Sequence, residues 1–169
     1  MRMTATQRVD LWLRHATPIA LTVLLAILSV VPIGVPGYAT VVPAYTAMAA
    51  FYWAVFRPDL QPPFALFLVG VLQDILAATP LGMTALSLMV VHGLALSQRR
   101  AFLGKPFALA WLGFLLIHGL SALLIWLLAS MLVLQPIGPE PAVFQYLVTV
   151  TLFPLVAWIF VRMHRYVVR

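Results

Sequence analysis

The sequence predicts an all-α polytopic membrane protein, six transmembrane helices in one domain with both termini cytoplasmic, and three observations predict it. Hydrophobic residues make up 64% of the chain, charged residues only 8%, and mean hydropathy is +1.07. Soluble domains hold about 45–50% apolar and about 25% charged residues. The apolar positions fall into six runs separated by short breaks rich in proline and glycine. When those six runs are threaded across a bilayer, every lysine and arginine falls on the same side, as the positive-inside rule requires of the cytoplasmic face.

The first span is expected over 17–35, preceded by a short interfacial helix within residues 1–15, which carry Arg2, Arg8, Arg14 and Trp12. A basic start before an apolar run resembles a secretory signal, but this run exceeds the 7–15 residues of a signal core and further spans follow. It reads as an uncleaved helix. Val35-Pro-Gly-Tyr38 makes an uncharged turn, and the second span is expected over 39–56 with Pro43 in its first turns, where a missing N–H is tolerated. The polar break Arg57-Pro-Asp-Leu-Gln-Pro-Pro63 leads to a third span over 63–78. Thr79-Pro-Leu-Gly82 turns the chain into a fourth over 82–97. The most basic loop, Gln98 to Pro106, precedes a fifth span over 107–134, and Gln135 to Pro141 precedes a sixth over 142–161.

Several function classes drop out on composition alone. Each span uses about 20 residues, so a chain of 169 leaves no room for a soluble domain. The net charge of +6 encodes topology rather than nucleic-acid binding, because the basic residues sit in loops beside apolar runs and no basic-aromatic module accompanies them. Cysteine is absent, which removes disulfides, thiol nucleophiles and thiolate metal sites. No phosphate loop, catalytic triad or carboxylate pair is present, so no enzyme activity, cofactor or metal is expected.

One stretch stands out, Gly70 to Gly82, reading GVLQDILAATPLG. Asp74 is the only carboxylate inside an apolar run, and an ionisable group in a span is a functional candidate by default. Gly70, Gln73, Asp74 and Ala77 share a helix face, a mixture of small and polar residues that suits close helix packing. Asp74 lies roughly 16 Å along its helix, near the turn at Pro80 to Gly82. The free N–H groups of Gly82, Met83 and Thr84 at the next helix start are its natural partners. A cap is favoured over a proton or ion site, which would need further titratable groups nearby. His92 and His118 fall at similar depths, each followed by glycine. A structural hydrogen-bonding role is expected for both, ahead of a metal site, since no third ligand stands at matched spacing. Arg99, Arg100 and Lys105 form a cytoplasmic basic rim that sets topology and is also suited to anionic lipid or an acidic partner.

The aromatic run Phe51-Tyr-Trp-Ala-Val-Phe-Arg-Pro58, then Gly70-Val-Leu-Gln-Asp74, then Pro80-Leu-Gly82, on a short six-span chain, resembles the bacterial rod shape-determining protein MreD family. The family's usual Gly-Leu-x-x-Asp stands here as Gly70-Val-Leu-Gln-Asp74, with the spacing intact. The resemblance implies a non-enzymatic inner-membrane scaffold of the cell-elongation and peptidoglycan-synthesis machinery. It further implies a single-pass MreC-like partner, links to MreB, RodA and a penicillin-binding transpeptidase, and a bundle similar to the S-components of energy-coupling-factor transporters. The alternative is a substrate-binding subunit of a vitamin or small-molecule transporter. Ala16-Thr-Pro-Ile-Ala20 fits the small-xxx-small pattern of those subunits, while no clear polar cavity is legible in the sequence.

Overall fold

The computed structural model describes the backbone at residues 5–30, 42–133 and 138–167, with side chains at 17–30, 42–132 and 138–162. All regular structure there is helical: α1 (Ala5–Val30), α2 (Tyr45–Phe56), a 3-10 turn (Pro58–Leu60), α3 (Pro63–Ala77), α4 (Met83–Ser97), α5 (Arg99–Phe102), α6 (Phe107–Val133) and α7 (Glu140–Val167). Two of these, within Phe107–Leu132 and Glu140–Arg162, are long and apolar enough to cross a membrane. The exposed faces agree with an apolar surround: Leu109, Leu112, Leu116, Leu120, Leu123 and Leu127 line one side of α6, each more than 40% exposed. A stripe of that size is rare on a protein that faces water.

The element boundaries depart from expectation at four places. α1 is one continuous helix from Ala5, not a short interfacial helix followed by a span, and it runs through Pro18. Proline is tolerated inside apolar helices where neighbouring groups re-satisfy the backbone. α2 begins at Tyr45 rather than 39, and Pro43 precedes it instead of lying in its first turn, because the residue before a proline avoids the helical region. The basic loop contains the short α5. α7 starts at Glu140, with Pro141 in its first turn, and extends past 161 to Val167. The expected end of the first span, the turn at Val35 to Tyr38, the segment 39–41, residues 134–137 and residues 168–169 lie outside the described residues.

α2 is the axis of the bundle. Every residue from Thr46 to Val55 is buried, with α1, α4, α6 and α7 packed around it. Twelve residues span only about 18 Å, short of the roughly 30 Å of a bilayer core, so α2 is enclosed by its neighbours rather than matched to lipid. Its ends are tied by side chains from distant helices. The Ala44 N–H donates to Thr149 Oγ1 at 3.0 Å, and Gln145 Nε2 donates to the Val42 carbonyl at 2.8 Å. At the other end Arg99 Nε donates to the Val55 carbonyl at 2.9 Å, placing a cation at the negative pole of the helix.

Another long-range bond repairs α7. Pro154 has no N–H to give to the carbonyl of Val150, four residues earlier. Trp111 Nε1 donates to that carbonyl at 2.9 Å. The proline therefore costs α7 no unsatisfied acceptor there, and α6 gains a fixed register against it. Tyr146 Oη donating to Leu115 O at 2.9 Å holds the same pair of helices one turn further on.

Candidate functional site

The corner between α3 and α4 is assembled almost entirely from the Gly70 to Gly82 stretch. α3 ends in a Schellman arrangement: the Thr79 N–H reaches the Asp74 carbonyl at 3.1 Å and the Ala78 N–H reaches the Ile75 carbonyl at 3.4 Å. Ala78 takes the left-handed conformation this requires, φ 52°. Pro80 cannot continue the helix, and Gly82, at φ 97°, supplies the positive φ of a tight turn before α4 begins. The two helices then approach closely. A side-chain carbon added to Gly70 would lie 2.7 Å from the Ala85 backbone nitrogen, so only hydrogen fits there.

Asp74 joins these two helices. It is fully buried, and its Oδ2 accepts from the Gly82 N–H at 2.8 Å while Oδ1 accepts from the Thr84 N–H at 2.9 Å and from Thr79 Oγ1 at 3.0 Å. Of the three N–H groups expected to meet it, those of Gly82 and Thr84 do. Three hydrogen bonds and the positive end of α4 supply the compensation that a carboxylate needs when it leaves water. The same residue thus closes α3 through its carbonyl and opens α4 through its side chain. Gln73, beside it, accepts from Thr46 Oγ1 at 2.9 Å and ties the corner to α2.

Behind the corner lies a cavity of about 510 Å³ that the sequence did not announce. Its wall is drawn from six helices and the turn at the corner: Ser29 and Val30 of α1, Thr46 and Ala47 of α2, Gln73 and Ala77 of α3, Thr84 and Ser87 of α4, His118, Ala122 and Trp126 of α6, and Gln145 and Tyr146 of α7. The volume is that of a small-molecule site, and the mixture of apolar wall with a few polar groups is typical of one. The sequence shows no clear polar cavity, and the one the structure holds is mostly apolar with scattered polar groups. Small and hydroxylic residues create the space, because alanine, serine and threonine leave unfilled what leucine or phenylalanine would occupy. Asp74 is not in the wall. Its neighbours Gln73, Thr79 and Thr84 are.

The expected site residues therefore divide into groups. Gly70, Asp74 and Gly82 build the corner, while Gln73, Pro80 and His118 reach the cavity. His92 is buried but not part of that wall. The hydrogen-bonding role expected for both histidines is not met at Nδ1, which is buried without a partner in each. His118 is instead held by stacking, 5.2 Å from the Phe114 ring and 5.8 Å from the Tyr146 ring. No group of three metal-ligating side chains occurs among the described residues. The basic rim also divides: Arg99 is half-buried on the α2 end, whereas Arg100 and Lys105 are exposed. Comparison of the chain with protein-family models, with curated proteins and with solved structures found no match.

Proposed function

We propose that this chain is a non-enzymatic membrane scaffold of the bacterial cell-elongation machinery, set in the inner membrane by six spans with cytoplasmic termini. It docks an MreC-like single-pass protein through its helix faces, and reaches MreB, RodA and a penicillin-binding transpeptidase as parts of the same assembly. The observation that supports this reading is the α3–α4 corner. Gly70, Asp74 and Gly82, on which the resemblance to the MreD family largely rests, are engaged in joining two helices, and both Asp74 oxygens are occupied. Motif residues committed to shape rather than chemistry suit a protein that works by presenting a rigid surface. In lipid such a surface binds through close packing and interhelical hydrogen bonds, since lipid tails are as apolar as leucine.

The test is in-membrane photo-crosslinking from exposed positions on three helices: Leu72 and Leu76 of α3, Leu116 and Leu123 of α6, Leu147 and Leu155 of α7. Capture of a single-pass protein clustered on one face is the expected result. Scattered or absent capture removes the scaffold reading. The cavity favours the second reading, a substrate-binding subunit of a small-molecule transporter. Helix-face capture separates the two, because a scaffold is also able to hold a ligand.

A further inference from the structure

We infer that the cavity behind the α3–α4 corner is a binding site for a small, uncharged molecule with an apolar body and an amide or hydroxyl group that both donates and accepts hydrogen bonds. Size excludes the partner helix as its occupant. A helix is about 10 Å across and rises about 5.4 Å per turn, so 510 Å³ holds barely one turn. Charge is excluded by the wall. Among the described residues no Asp, Glu, Lys or Arg lines the cavity. Of the two carboxylates near it, Asp74 is fully buried with its oxygens turned to Thr79, Gly82 and Thr84, and Glu140 is exposed beside Gly138 at the start of α7. A charged ligand would enter a largely apolar recess with no charged side chain among the described residues of its wall to pair with it.

The hydrogen-bonding groups left over in the wall define the rest of the chemistry. Gln73 uses its amide oxygen to accept from Thr46, which leaves the NH₂ as a donor. Gln145 uses its NH₂ to hold the Val42 carbonyl, which leaves its oxygen as an acceptor. Gln73 and Gln145 together thus present a donor and an acceptor, which suits a ligand group that carries both. His118 adds a third point of contact. Only 5% exposed and fixed in orientation by Phe114 and Tyr146, its Nδ1 has no partner and is sealed from solvent, so a ligand that satisfies this ring does so at Nε2. A few convergent hydrogen-bonding groups on an otherwise apolar wall are the pattern a small-molecule ligand completes.

Native mass spectrometry of the full-length chain, purified from its membrane in mild non-ionic detergent, tests this directly. The expected result is a one-to-one adduct which, after extraction, is an uncharged amide- or hydroxyl-bearing compound. A neutral glycolipid would assign the group to a lipid headgroup, and a water-soluble compound to a free ligand. Occupancy should fall at least tenfold in Ala122→Trp, which fills the cavity, and severalfold in His118→Phe, which keeps the ring stack and removes Nε2. Should Ala122→Trp not run as a monodisperse species, Ala129→Leu fills the same wall more gently and reads the same loss. An empty wild-type chain, an anionic phospholipid adduct, or an adduct held equally by the variants would overturn the site. The outcome is separate from that of crosslinking: capture without an adduct removes only this site, and an adduct without capture removes only the scaffold reading.

Discussion

The two ends of α2 are built on opposite principles. Toward its C-terminus, Phe51 meets Phe114 and Phe153 edge-on, with centroids at 5.3 and 5.6 Å, and Phe114 stacks on Phe153 at 4.1 Å. Tyr52 packs between Phe56 and Phe160 on the same end. Toward its N-terminus, Thr46 and Ala47 face a cavity of about 510 Å³. One helix therefore has a filled end and an open end within 18 Å or so of backbone. Rigid aromatic rings give large contact area in a few interlocking positions, whereas alanine, serine and threonine leave room that polar groups keep from collapsing. Stability is concentrated at the first end, and recognition has space at the second.

Truncation at the filled end should have the largest effect. Phe114→Ala removes a ring in contact with Phe51, Phe153 and His118, and a cost of about 3 kcal/mol is expected, toward the low side for Phe→Ala because in lipid the loss is of packing alone, with little transfer term. Denaturant unfolding in micelles measures it. Ala122→Leu at the open end adds bulk to existing space and should change stability by less than about 0.5 kcal/mol. Equal costs at the two sites would erase the comparison.

The corner that frames the open end should respond next. Asp74→Leu strips the Gly82 and Thr84 N–H groups of their acceptor and is expected to cost about 2–3 kcal/mol, whereas Asp74→Asn keeps one oxygen and should cost about 1 kcal/mol. A proton-handling role predicts that both substitutions damage function equally, at preserved folding. Trp111→Phe leaves the Val150 carbonyl without the donor that Pro154 cannot supply, and about 1 kcal/mol is expected. Ala78→Gly should be neutral or stabilising by up to about 1 kcal/mol, because glycine takes φ 52° without strain.

What was legible in the sequence follows from distance along the chain. The corner was readable because its parts lie within thirteen residues: a carboxylate eight positions before Gly82, a small residue one turn earlier, and a Pro-Leu-Gly break between. The cavity was not, because its wall gathers residues from Ser29 to Tyr146, and the alanines, serines and threonines among them read as ordinary in an alanine-rich apolar chain. The Trp111 bond to α7 and the Arg99 bond to α2 span 39 and 44 positions, and no local pattern announces them. Arg99 in particular looked like one of three equivalent rim charges, yet it is the one bound to a helix end.

A matched pair of cysteines tests the contrast between the ends most directly, since the chain has no cysteine of its own. Ala122→Cys lines the cavity, while Ala54→Cys sits fully buried among the packed residues of α2. Exposed to N-ethylmaleimide in native membranes, Cys at 122 should label readily and Cys at 54 only after denaturation. Equal labelling of the two, or protection of both, would contradict an open end and a closed end on the same helix.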